Sequence, residues 1–348
     1  MKNVKTLILV TLMSASLFAS SQRVAALGGN VGFWPEDDAS WTTFPTAIND
    51  LDMVQISGVD GDASASIVWG EGTTWAFQYN EADMAEEDWD AIDWMNIGWG
   101  NGTMGATFSL GSQSYDSGET GSTASSMTAF GATFGMPLAG MDFGAGFSSM
   151  SEDDGDSNTD DPTAMGIGFN LRRAQSLWLF DNMLVGFSNV SAAQGDATDS
   201  AMDLSVDLFT HIPANDNISV LFALGFGYSS SVSNSGAAGA EDMTASVMSL
   251  PQATLAVEGD LKDWATVRVG VNHAYLMGTN GDASWSGAYT EMGESTFNMT
   301  FGLGFNMGSF NLDMTVGEGL FSDPAPYLVG QNDEPLSSEG GVTLTYAF

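Results

Sequence analysis

The sequence predicts an all-β fold: a transmembrane, antiparallel, up-and-down β-barrel of roughly 14–16 strands, with short turns at one end and long acidic loops at the other. Three observations predict it. From Asp52 onward, large apolar residues alternate with Gly, Ser, Thr and Asn in segments of about ten residues, the length a tilted strand needs to cross a bilayer. Short and long connections between those segments alternate without a break. The chain closes on Gly340–Phe348, where Val342, Leu344, Tyr346 and Phe348 fall on one side of an extended strand and Thr343, Thr345 and Ala347 on the other. A soluble β-sandwich also alternates, but its water-facing side is normally charged; here that side is mostly Gly, Ser, Thr and Asn.

Residues 1–21 read as a secretory signal peptide. Lys2 and Lys5 precede an apolar run from Leu7 to Phe18, and the small residues Ala19, Ser20 and Ser21 make the exit, with cleavage expected after Ser21 and Ala26 as the alternative. The run is too short for a transmembrane helix, and no later apolar run approaches the ~20 residues one requires. The chain has no cysteine, which excludes disulfides, thiolate metal sites and the cysteine-linked anchor of a lipoprotein.

Residues 22–50 do not alternate. Their glycines and prolines argue against a long regular element. Ala26-Leu27-Gly28-Gly29 followed by Asp37-Asp38-Ala39-Ser40 resembles the start of the long-chain fatty-acid channel (FadL-like) family and of related secretion-associated barrels. Phe44-Pro45-Thr46-Ala47 departs from that pattern, lacking the Asn of Asn-Pro-Ala and carrying an extra Thr. The resemblance implies a segment lodged inside the barrel as a plug; the residues alone fit a loose periplasmic tail equally well.

The barrel is expected over residues 51–348. Its clearest strand is Phe297–Met307, where every odd position is large and apolar and every even one is Asn, Thr or Gly. Phe310, Leu312, Met314 and Val316 repeat the pattern after a reversal at Gly308-Ser309. The same arrangement recurs around Ile218–Tyr228, Met165–Arg172, Met104–Leu110 and Thr74–Tyr79. Short turns are expected at 100–102, 137–140, 173–177, 213–217, 259–263 and 308–309. Long loops are expected at 81–91, 116–125, 152–162, 191–200, 230–242, 278–295 and 322–339. Both termini then lie on the periplasmic side. Tyr346 and Phe348, an aromatic ending to the last strand, resemble the signal read by the barrel-assembly machinery of Gram-negative bacteria.

The 44 acidic residues against 7 basic ones give a formal charge of -37, which repels nucleic acid and attracts cations. Alternation places Asp142, Asp203, Asp207, Glu258 and Asp313 on the inner wall, with Arg172 and Arg268 as rare bases there. Acid on an open inner wall favours cations; in a closed barrel the same acids would pair with arginines or plug backbone. In the run 152–161, Asp153, Asp154, Asp156 and Asp160 are candidate oxygen ligands for Ca2+ or another divalent cation, without the spacing of an EF-hand. No other cofactor is expected. Loop acids could also share divalent ions with lipopolysaccharide phosphates in the outer membrane.

A catalytic role is not expected. Only His211 and His273 are present; His211 abuts a short turn, and His273 falls on the lipid side of its strand unless a bulge shifts the register or it lies near the interface. Trp69, Trp75, Trp99, Trp178 and Trp264 sit near strand ends, where indole rings anchor in headgroups. Trp89 and Trp285, in loops, are the ones placed to meet a ligand. Two readings remain: a porin-like or FadL-like channel for small solutes or hydrophobic molecules, cation-preferring if open, or a non-transporting barrel serving as anchor or secretion partner. The sequence does not set the oligomeric state.

Overall fold

The computed structural model describes residues 22–58, 63–82, 92–115, 125–153, 160–280, 295–316 and 340–348. Sixteen strands form one closed antiparallel barrel, each paired with its neighbours in sequence. They are β1 (Met53–Ser57), β2 (Ser64–Trp69), β3 (Thr74–Ala82), β4 (Ile92–Gly100), β5 (Gly105–Tyr115), β6 (Ser125–Leu138), β7 (Met141–Asp153) and β8 (Thr163–Leu177). The second half comprises β9 (Phe180–Gln194), β10 (Ala197–Asn215), β11 (Ile218–Asn234), β12 (Met243–Lys262), β13 (Ala265–Asn280), β14 (Ser295–Met307), β15 (Phe310–Val316) and β16 (Gly340–Ala347). The last strand does close the sheet: β16 pairs β15 on one side and β1 on the other, with Gln55 opposite Thr345 and Ile56 opposite Leu344.

Alternation resolves into an outer apolar face and an inner small or polar face. Val54, Ile56, Phe77, Tyr79, Ile97, Phe108, Phe130, Phe147, Ile167 and Leu344 are exposed on the outside. Gln78, Asn80, Asn96, Thr107, Ser109, Thr343 and Thr345 are buried on the inside. With no edge strand and an apolar exterior, this is the construction that lets a sheet sit in hydrocarbon with its backbone satisfied.

One end of the barrel carries only tight connections, at 70–73, 101–104, 139–140, 178–179, 216–217, 263–264 and 308–309, together with the start of β1 and the C-terminus. Ala139 and Gly140 both take positive φ, the primed geometry that suits a two-residue hairpin. Aromatic residues ring this end. Trp69, Trp75, Trp178 and Trp264 are exposed and Trp99 half-buried; Trp264 stacks on Phe305 at 6.2 Å, and Tyr346 meets both Phe310 and Phe348. Indole and phenol rings in such a belt belong at a headgroup layer.

The expected loop at 191–200 is corrected. β9 and β10 run on to a two-residue turn at Gly195-Asp196, and Ser191 pairs Ser200 across the hairpin. Likewise β11 extends to Asn234, leaving only 235–242 as connection. Serine and alanine there look like loop by composition, but their side chains fit a pleated sheet that continues beyond the apolar band, as the 20 residues of β12 show. The turn expected at 173–177 is corrected too: those residues belong to β8, and the reversal comes after them at Trp178-Leu179, while the turns expected at 213–217 and 259–263 narrow to Asp216-Asn217 and Asp263-Trp264.

His273 faces outward and is exposed, paired between Ala253 and Phe297. β13 keeps its own alternation; the irregularities of this pair lie in β12, between Ser249 and Gln252 and between Asp260 and Lys262.

Candidate functional site

Sixteen strands enclose a lumen wide enough for an aqueous channel, and what occupies it defines the site. Residues 22–50 enter the barrel and fold there as a short helix, α1 (Gln22–Ala26), and three 3-10 turns over Val31–Phe33, Asp38–Thr42 and Pro45–Asp50. Such brief elements cannot stand alone. Their ends are satisfied locally, by Asn30 accepting from the Gly32 N–H at 2.9 Å and by Asp37 accepting from the Ala39 N–H at 2.9 Å.

Apolar packing seats the segment. Val24, Leu27, Val31, Phe33, Trp34, Ala39 and Phe44 pack against inward-facing Leu184, Phe209, Leu221, Ala223 and Ala256. Trp41 and Ile48 pack against Met53, Val68 and Ala76 on the opposite wall. Leu27, Phe44 and Ile48 are fully buried, each contributing about 1.5–3 kcal/mol relative to exposure.

Inner-wall glycines provide the room. A β-carbon on Gly105 would collide with the Pro45 carbonyl, on Gly144 with the Thr43 carbonyl, on Gly270 with the backbone at Leu27-Gly28, and on Gly302 with the Ala26 methyl. A side chain at Gly98 would come within 2.7 Å of Ile48. Other inward glycines serve differently: Gly225 leaves space for the Asp207 carboxylate and Gly304 for the Arg268 guanidinium.

Wall side chains then donate to the plug's carbonyls, in order along it. Thr315 donates to Gln22 O at 3.2 Å, Thr300 to Ala26 O at 3.0 Å, Asn272 to Gly28 O at 3.0 Å and Arg172 to Gly32 O at 3.3 Å. His211 Nε2 lies 2.8 Å from Phe33 O, with its ring edge-on to Trp34. Asn49 donates to Met104 O at 3.2 Å and accepts from the Gly102 N–H at 2.6 Å, tying the end of the plug to the β4–β5 turn. An irregular backbone inside a barrel needs such partners, because a buried, unpaired carbonyl costs roughly 1–3 kcal/mol.

The predicted wall residues Asp142, Asp203, Asp207, Glu258, Asp313, Arg172 and Arg268 all occupy inward positions, and the plug brings several of them together. Arg23 donates to Glu258 at 2.8 and 3.0 Å and to Asp37 at 2.6 Å. Arg268 bridges Glu258 at 2.8 Å and Asp313 at 2.5 Å. The result is a chain of alternating charge, Asp37–Arg23–Glu258–Arg268–Asp313, that crosses from plug to wall. Burial draws the Arg23 pKa down, but the hydrogen bonds and charges of Glu258 and Asp37 outweigh it, so Arg23 is held above the usual arginine range. Beside this chain, Asp38 accepts from Gln55 at 2.9 Å, and its carboxyl is pushed up to about 8 by burial, then by Asp37 and by the charge of Asp313.

A separate pair joins Arg172 to Asp142 at 3.0 Å, with the Arg172 guanidinium 4.3 Å above the Phe44 ring. Asp203 accepts from Ser188 at 3.3 Å and from Ser229 at 2.6 Å. Asp207 is buried on the same strand, and the ion pairs among the described residues include neither of these two aspartates.

Among the described residues, two cavities border the plug. On the loop side, about 110 Å³ lies between Thr42-Thr43 and a wall patch of Gly131, Gly146, Gly166 and Gly168, bordered by Trp94 and Val190. On the short-turn side, about 300 Å³ is lined by Glu36, Asp37, Asp38, Asp313, Arg23 and Arg268, with Asn306, Asn311 and Thr345 among the neutral groups.

Of the proposed cation ligands, Asp153 is exposed at the end of β7 and Asp160 is exposed nearby. Asp154 and Asp156 lie outside the described residues, as do Trp89 and Trp285. No group of three or more His, Cys, Asp or Glu suited to a metal gathers among the described residues.

Sequence reasoning missed Arg23, Asp37, Asp38, His211, Asn272, Thr300 and Thr315 as plug contacts. A signal was present: Leu184, Phe209 and Leu221, like Met53 and Val68 across the lumen, put large apolar side chains on the inner face, and an apolar side chain has no reason to face a water-filled lumen.

No protein-family model matches the chain, and no curated protein matches it. Among solved structures it is similar to CdiB from Acinetobacter baumannii, at 11% identity and TM-score 0.44 over 85% of this chain and 59% of that one. It is also similar to the CymD monoaromatic hydrocarbon channel, at 10% and 0.40 over 95% and 98% of the two chains. A third is the copper transporter OprC, at 12% and 0.39 over 76% and 52%. The chain spans between 53% and 59% of the length of the first three solved structures it matches. Similarities of this strength leave the function to be read from the site.

Proposed function

We propose that this protein is an outer-membrane channel for small solutes or hydrophobic molecules, closed at rest by residues 22–50, with the short-turn end facing the periplasm. The observation that carries the reading is the pair of cavities: the seated plug separates a glycine-walled space on the loop side from a carboxylate-lined space on the short-turn side. Moving the plug would join them through a lumen of porin width. An excess of carboxylates over guanidiniums along that path favours cations. The fatty-acid-channel resemblance rests on Ala26-Leu27-Gly28-Gly29, on Asp37-Asp38-Ala39-Ser40 and on the aromatic ending of the last strand. Barrel-assembly machinery is the proposed partner in biogenesis. Lipopolysaccharide is the proposed partner in place, through divalent ions shared with loop acids such as Asp153 and Asp160.

Planar-bilayer conductance of the full chain and of a chain lacking residues 22–50 tests this. The full chain should be closed or briefly open, and the deletion variant steadily conducting. A folded deletion variant that passes no ions would end the channel reading. That result would favour the second reading, a non-transporting barrel that anchors a partner, which draws support from the core-like burial of Leu27, Phe44 and Ile48.

A further inference from the structure

We propose that the ionic chain joining plug to wall is a proton-sensitive latch, so that the plug is held more loosely as pH rises past neutrality. This rests on the reading of residues 22–50 as a gate and names its regulation.

The geometry supplies an imbalance. From the plug come Asp37, Asp38 and Arg23, with Glu36 on the same cavity; from β12 comes Glu258, from β13 Arg268 and from β15 Asp313. Setting Glu36 aside, four carboxylates share two guanidiniums. Asp37 is nearly sealed, its side chain 2% exposed, and Glu258 and Asp313 are 19% and 16% exposed, so water screens the repulsion poorly. While Asp38 carries a proton, three negative charges face two positive ones, and the carboxyl beside Asp37 can donate as well as accept. Its ionisation adds a fourth charge against Asp37 and Asp313, offset only in part by Arg23 and by the neutral amide of Gln55.

The direction of the pH effect follows from linkage. Seating moves Asp38 from an ordinary value of 3.8 up to about 8, so the seated plug holds a proton that the released plug gives up. That contribution to seating is complete below 3.8 and is lost as pH rises to about 8. The alkaline arm therefore belongs to Asp38.

Ser40 provides the probe. It is fully buried in the plug, its hydroxyl lacks a hydrogen-bond partner, and the chain has no native cysteine, so Ser40→Cys introduces a single concealed thiol. In the folded full-length barrel, maleimide labelling of this thiol is measured from about pH 6 to about pH 9. Each rate is divided by that of an exposed Gly239→Cys thiol at the same pH, which removes the intrinsic ionisation of sulfur. The normalised rate should rise roughly a hundredfold, about tenfold for each of the two pH units between 6 and the seated value of about 8. Adding Asp38→Asn, which mimics the protonated acid, should flatten the rise. Asp313→Asn, which removes one wall carboxylate, should shrink it. An equal rise in the parent and in both variants would overturn the latch, as would a flat parent. Labelling does not need ion flow, so a non-conducting deletion variant would refute the channel without touching the latch.

Discussion

Replacing Arg23 tests whether charge or apolar packing holds the plug. Arg23→Met keeps a long side chain that can still cover the Trp34 ring, now 5.2 Å from the guanidinium, but removes three hydrogen bonds to two carboxylates. Breaking one partner out of a buried ion pair costs about 3–5 kcal/mol. Here the lower end applies, because Glu258 keeps Arg268 and Asp37 keeps the Ala39 N–H. A loss of about 3 kcal/mol from seating corresponds to roughly a hundredfold rise in the unseated fraction. The assay is the labelling rate of a Ser40→Cys thiol at neutral pH, with and without Arg23→Met, alongside the heat-modified mobility of the barrel to show that the wall remains folded. A rate within about twofold of the parent would mean that the apolar contacts of Leu27, Phe44 and Ile48 hold the plug alone, and the ionic account would be wrong.

Gly105→Val places a branched side chain on the Pro45 carbonyl, a backbone atom that cannot swing aside; overpacking of this kind costs typically 1–3 kcal/mol. It should raise Ser40→Cys labelling while leaving barrel assembly intact, and an unchanged rate would count against the glycine seat. Phe348→Asp puts a charge beside Tyr346 in the aromatic belt and should lower outer-membrane yield; full yield of heat-modifiable barrel would remove the assembly role from Phe348. In the chain lacking residues 22–50, Asp203→Asn with Asp207→Asn should reduce cation over anion selectivity, read as a smaller reversal potential under a salt gradient. Anion selectivity before substitution would refute the charge argument.

The sequence by itself determined the wall. Period-two alternation distributes side chains between two faces whatever the rest of the chain does, so the outward Phe297, Phe301 and Leu344 and the inward Asp313, Glu258 and Arg268 were legible residue by residue. Connection lengths set the antiparallel order, and the final strand announced closure. Composition misled at Ser191–Ser200, because small polar residues suit both a loop and a strand standing clear of the membrane. Only the tertiary structure decided what the inner face meets. Whether an inward glycine borders water or backbone depends on a segment distant in sequence: Gly105 lies against Pro45, whereas Gly131 borders a cavity. The same holds for charge. Glu258 and Asp313 looked like the lining of a cation path, but Arg23 stands 235 residues from Glu258 in a stretch with no periodicity to place it. A local pattern reports which face a residue is on; it carries no information about a partner that arrives from inside the barrel.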